Sequence, residues 1–71
     1  MNTELLKYLV ELTDYSVDVI NLPDLFKKFP DSSKTYHDLK NLRLSGYISI
    51  LYCNDTISEI GINQKALDYF K

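Results

Sequence analysis

Apolar positions along the chain follow a helical period in its first two thirds and an alternating one after that. Leu5, Leu9 and Leu12 recur at i, i+4 and i+7, with Leu6 and Val10 widening the stripe. Residues 3–14 are therefore expected as a helix, capped by Asn2 or Thr3, with Glu4 in its first turn. The stripe is broader than one packing face requires. It fits burial on two sides of a small core, or a dimer face. Asp14-Tyr15-Ser16 breaks the period, and the β-branched Val17-Asp18-Val19-Ile20 reads as a brief strand or an extended connector.

Asn21-Leu22-Pro23-Asp24 is a helix start, because a proline in the first turn lacks only an N–H that would have no partner there. A second helix is expected from Asp24 to about Phe29, with Leu22, Leu25, Phe26 and Phe29 on one side. Pro30 ends it, since the residue before a proline is pushed out of the helical region. Asp31-Ser32-Ser33 offers a fresh N-cap for a third helix reaching Ser45, with Gly46 as the left-handed residue that closes it. Leu39 and Leu42 point inward, with Thr35 one turn earlier on the same side.

From Tyr47 to Ile62 the period changes to two. Ile48, Ile50 and Tyr52 alternate with Ser49, Leu51 and Cys53, and Ile60 and Ile62 alternate with Glu59 and Gly61 across Asn54-Asp55-Thr56. This is a β-hairpin. A plain two-residue loop at Asn54-Asp55 would set Glu59 and Gly61 on the isoleucine face. A one-residue slip flips every side chain, so pairing Ile50 with Ile60 and Ile48 with Ile62 requires an odd-length loop or a bulge. Asn63 is then placed to cap a short last helix, Gln64 to Phe70, folding Ala66, Leu67 and Phe70 back onto the body.

Composition narrows the class. The 71 residues are 45% hydrophobic and 25% charged, a globular balance rather than a disordered one. The chain is expected to form one domain over residues 1–71. A single core of this size supplies at most ~3–5 kcal/mol, so dimerisation is a natural supplement. No apolar run reaches the ~18 residues of a membrane span. Met1-Asn2-Thr3-Glu4 shows no basic region leading into an apolar core, so a cytoplasmic location without membrane contact is expected. One cysteine, Cys53, excludes an internal disulfide framework.

Leu39-Lys40-Asn41-Leu42-Arg43-Leu44-Ser45-Gly46-Tyr47-Ile48 resembles the bacterial winged helix-turn-helix pattern. In that family a recognition helix ends in two leucines three apart, followed by Gly, an aromatic or apolar residue, and Ile opening the wing. Ile60-Gly61-Ile62-Asn63-Gln64-Lys65-Ala66-Leu67-Asp68-Tyr69 is similar to the family's exit from the wing into a closing helix. Asn63 stands there at the Thr cap position, and Ala66 replaces a Gly. The resemblance spans nearly the whole chain. It implies an α+β winged helix-turn-helix fold in the order helix, strand, helix, helix, strand, strand, helix. The helix-turn-helix would cover about 22–45, the wing 47–62 and the closing helix 64–70.

The resemblance further implies a small transcriptional regulator that sets its third helix in the major groove of double-stranded DNA. The matching outward residues are Ser33, Lys34, Tyr36, His37, Lys40 and Asn41. Asn41 has the geometry to pair with adenine, and Lys34 or Lys40 with guanine or phosphate. Ser32 and Ser33 at the helix N-terminus are placed to hold a phosphate. Lys27, Lys28 and Arg43 complete the expected DNA face.

Net charge is −2, but the total hides a distribution. Residues 1–26 carry Lys7 against Glu4, Glu11, Asp14, Asp18 and Asp24, a net −4. Residues 27–47 carry Lys27, Lys28, Lys34, Lys40 and Arg43 against Asp31 and Asp38, a net +3. Residues 48–71 carry Lys65 and Lys71 against Asp55, Glu59 and Asp68, a net −1. A basic middle between acidic flanks is the polarity a DNA face needs; it is equally the pattern of ordinary solvated faces. The wing, Tyr47 to Gln64, has neither Lys nor Arg. A wing lying on phosphates would be basic. Helix 3 would then do most of the binding, with a homodimer doubling the contacts through Leu5, Leu6, Tyr8, Leu9, Leu67, Tyr69 and Phe70. The alternative is a protein-interaction module that uses the acidic, tyrosine-bearing wing or the first helix and binds no DNA.

Catalytic chemistry finds no footing. His37 and Cys53 are the sole His and Cys and fall on different elements, so neither a Cys–His nucleophile pair nor a zinc set is expected. Asp14 and Asp18 lack the rest of a calcium loop, and two glycines are too few for a phosphate loop. No cofactor is expected. The six tyrosines suit half-buried boundary positions or an interface.

Overall fold

The computed structural model of the protein describes residues 1–21 and 25–71. Helix α1 spans Thr3–Leu12, and the Asn2 side chain caps it by accepting the Leu5 amide at 3.0 Å. The helix ends in a Schellman motif, with the Asp14 amide on Glu11 O and the Tyr15 amide on Val10 O. Asp14 and Tyr15 both take left-handed conformations, at φ 54° and 57°. Strand β1 is Val19–Asn21.

Helix α2 spans Ser32–Leu44, with the Asp31 carboxylate accepting the Lys34 amide. It closes on a second Schellman motif. Gly46 takes φ 85° while its amide bonds Arg43 O and the Tyr47 amide bonds Leu42 O. The absence of a Cβ makes this conformation accessible to Gly46 without steric cost.

Strands β2, Ile48–Cys53, and β3, Thr56–Ile62, form the hairpin, and helix α3 is Gln64–Tyr69. The sheet is antiparallel in the order β1-β3-β2. Ile48 pairs with Ile62 and Ile50 with Ile60, the register the alternation required. The loop itself has two residues, Asn54 and Asp55, both left-handed as a type I′ turn demands. A bulge restores the faces: Leu51 opposes Glu59 and Tyr52 opposes Ile57, which leaves Ser58 as the extra residue.

The expected four-helix order is corrected here. The described residues form three helices, in the order α1-β1-α2-β2-β3-α3. The α+β class stands, but the winged helix-turn-helix assignment does not. The residues expected to start the second helix, Leu22, Pro23 and Asp24, lie outside the described residues. Beyond them only Leu25 and Phe26 are helical, and Lys27 and Lys28 form a turn. Pro30 follows within four residues of Phe26, which leaves room for one turn and no more.

Leu5, Leu6, Leu9 and Val10 of α1 are fully buried, together with Leu25, Leu39, Ile60 and Ala66. Leu42, Ile20, Ile48 and Ile62 complete the core. The broad α1 stripe is therefore consumed by packing on two sides. Thr35 is buried and donates its hydroxyl to Phe29 O at 3.4 Å. Asn63 precedes α3 but does not cap it with its side chain. Its amide nitrogen instead donates to Gly46 O at 3.2 Å, and its Oδ1 accepts from the Ser49 hydroxyl at 3.1 Å. Asn63 thus ties the end of α2 to the sheet. No helix among the described residues is long and apolar enough to cross a membrane.

Candidate nucleic-acid interface

Helix α2 packs on the body through Thr35, Leu39 and Leu42. At 100° per residue, the opposite face carries Ser33, His37, Lys40 and Leu44, with Lys34 and Asn41 on one flank and Tyr36 and Arg43 on the other. All eight are exposed. The expected outward residues Ser33, Lys34, His37, Lys40 and Asn41 are thus brought to one side of one helix about 20 Å long. Among the described residues, no ion pair engages Lys34, Lys40 or Arg43.

The remaining expected residues divide. Tyr36 is at the edge of this face, and its ring packs edge-on against Phe26 at 5.6 Å, which makes it a boundary residue. Lys27 and Lys28 are exposed in the turn before Pro30. The Lys28 ammonium lies over the Tyr8 ring, 4.9 Å from its centroid, and so leans toward α1. Ser32 is exposed at the first turn of α2. The phosphate seat expected of Ser32 and Ser33 is compromised, because the Asp31 carboxylate already caps that helix end. A phosphate there would meet a like charge.

The basic face is also interrupted. A groove of about 670 Å³ separates the start of α1 from α2. Lys28, Lys34 and Asn41 line it together with Glu4, Asp31 and Asp38. Asp38 accepts a hydrogen bond from the Asn2 amide at 2.9 Å. Lys40 and Arg43, toward the other flank of α2, do not line this groove.

Two features escaped sequence reasoning. Leu44 is 66% exposed, the most exposed large hydrophobic side chain among the described residues. Its place in the wheel opposite Leu39 and Leu42 was the available signal. Lys65 reaches from α3 to donate to Ser45 O and lies 4.6 Å from the Tyr47 ring centroid. It adds a cation at the C-terminal end of α2, where the helix dipole favours one. That contact joins residues twenty apart and leaves no local signature.

The expected dimer face is largely internal. Leu5, Leu6 and Leu9 are fully buried, and Tyr8, Leu67 and Phe70 are partly buried against the core. Only Tyr69 of that set is exposed, with its ring edge-on to Tyr47 and Phe70. The hairpin tip presents Asn54 and Asp55 to solvent, and Cys53 beside it is an exposed free thiol. Compared with protein-family models, curated proteins and solved structures, the chain finds no match in any of the three.

Proposed function

We propose that the protein binds double-stranded DNA through the exposed face of α2. The observation that carries this reading is the convergence of Lys34, His37, Lys40 and Asn41 on one exposed helix face, at a helix length that fits a major groove. Lys40 and Arg43 grip phosphate from one flank and Lys34 from the other, while Asn41 meets base edges. The hairpin, with Asp55 at its tip, stays off the backbone. Binding rests on few ion pairs, so it is weak per chain and falls with salt at a log–log slope of about −3 for three phosphate contacts.

Fluorescence anisotropy with a mixed-sequence duplex at low and moderate salt tests this. The wild type binds at low salt, and Lys34→Ala with Lys40→Ala weakens binding and reduces the slope by about 2. A folded wild type that leaves the duplex unbound at low salt would overturn the reading.

A further inference from the structure

The sheet turns its isoleucines inward, and its other face is bare. On that face Val17 is 63% exposed, and Val19 and Leu51 are each 44% exposed. They flank Gly61 and line a shallow groove of about 340 Å³. Gly61 contributes no side chain, so the groove floor is open; its nearest neighbour for an added Cβ is the Ser49 Cβ at 3.6 Å. The groove's charged residue is Asp18, and Glu59 stands two residues along β3 on the same face. Neither residues 8–26 nor residues 44–64 contain a Lys or Arg. The face is therefore apolar at its centre, with Asp18 and Glu59 as its charges and the neutral Ser49 and Asn63 on its rim.

The complementary shape lies at the end of α2, beside the groove's rim, where Asn63 lines the groove and donates to Gly46 O two residues past Leu44. Leu44 projects from α2, away from the core that Leu39 and Leu42 enter. Lys40 and Arg43 flank it on the helix, and Lys65 sits at Ser45 O beside it. This is an apolar knob in a ring of cations. A two-fold pairing of sheet faces would set Asp18 and Glu59 against their own copies, which like-charge repulsion disfavours. The knob does not fill the groove of its own chain, since Leu44, Val19 and Leu51 all remain exposed.

We propose that the outer sheet face receives the Leu44 end of α2 from a second copy of this chain. Leu44 fills the groove over Gly61 between Val19 and Leu51, while Lys40 and Arg43 face Asp18 and Glu59, so self-association and duplex binding compete for the same face of α2. An apolar centre with a charged rim is the ordinary anatomy of a small interface. Each chain presents both a knob and a groove, so a second copy joins by one such contact or by two exchanged about a two-fold axis.

Sedimentation of two single-faced variants tests this directly. Leu44→Gln removes the knob and keeps the groove. Val19→Lys with Leu51→Lys spoils the groove and keeps the knob. Wild type should gain mass steadily with concentration at low salt and lose it as salt rises. Each variant alone should stay at the single-chain mass, with binding weakened by about tenfold or more. Their mixture should form a one-to-one pair and nothing larger, which also shows both variants to be folded. A wild type that stays monomeric at high micromolar concentration overturns the proposal and leaves the groove to another protein. Association that survives both variants, or a mixture that fails to pair, overturns it equally.

Discussion

The Asp18 carboxylate accepts the Val19 amide at 2.8 Å. Asp18 O accepts the Ile62 amide at 2.8 Å, so the Val19 N–H, one residue on, points away from β3 toward the open edge of the sheet. An edge strand offers such donors to any passing strand. Here the preceding side chain occupies the donor. Strand addition at β1 is blocked while the sheet face beside it stays accessible. Asp18→Ala is expected to speed exchange of the Val19 amide by about tenfold, the equivalent of one hydrogen bond. Amide exchange by NMR reads this, and an unchanged rate would show that the carboxylate guards nothing.

Tyr15 is held at φ 57° at the exit of α1 and is about half exposed. A bulky side chain pays steric strain in the left-handed region that glycine avoids. Tyr15→Gly is therefore expected to stabilise the fold by about 0.5–1 kcal/mol, after the greater chain entropy glycine gives the unfolded state. Thermal unfolding should show a rise of a few degrees in Tm. A fall would mean that the Tyr15 ring contributes more packing than its exposure implies.

Asp31 and Lys65 hold the two ends of α2. Asp31→Ala removes the N-cap and is expected to cost about 1 kcal/mol. It also removes a negative charge from the DNA face, so duplex affinity at fixed salt should rise while stability falls. Lys65→Ala removes the cation over Tyr47 and is expected to cost about 0.5–1 kcal/mol. Its duplex affinity should change less than that of Lys34→Ala. Denaturant titration beside anisotropy separates the two effects. Parallel losses in both quantities would refute the division between holding and gripping lysines.

What the sequence reveals and what it hides divides along physical lines. The hairpin register was readable because alternation has period two, and only one pairing puts Ile48, Ile50, Ile60 and Ile62 on one side. The ends of α2 were readable because Asp31 and Gly46 act within three or four residues of themselves. The expected second helix begins outside the described residues, and of the rest only Leu25 and Phe26 are helical before the turn at Lys27 and Lys28. Asn63 was misjudged because its partners, Gly46 O and the Ser49 hydroxyl, come from fourteen or more residues away. The residues of the α2 face were legible from the wheel. So was Asp38, one turn from Lys34 on the same helix, whereas their acidic neighbour Glu4 was not, since it comes from a helix far away in sequence.

Ser58 makes β3 one residue longer than its partner needs. Were Ser58 drawn into the ladder, it would oppose Leu51 and Glu59 would oppose Ile50, carrying Glu59 and Gly61 inward and turning Ile60 and Ile62 out to water. Substitutions along the hairpin meet the usual tolerance of an exposed ribbon, but its register depends on keeping residue 58 out of the ladder. Descendants of this chain can therefore drift freely in the identity of residue 58. A single-residue loss from 57–59 would be absorbed by the bulge and leave Ile50 opposite Ile60, whereas a gain there would need a further bulge or a longer loop.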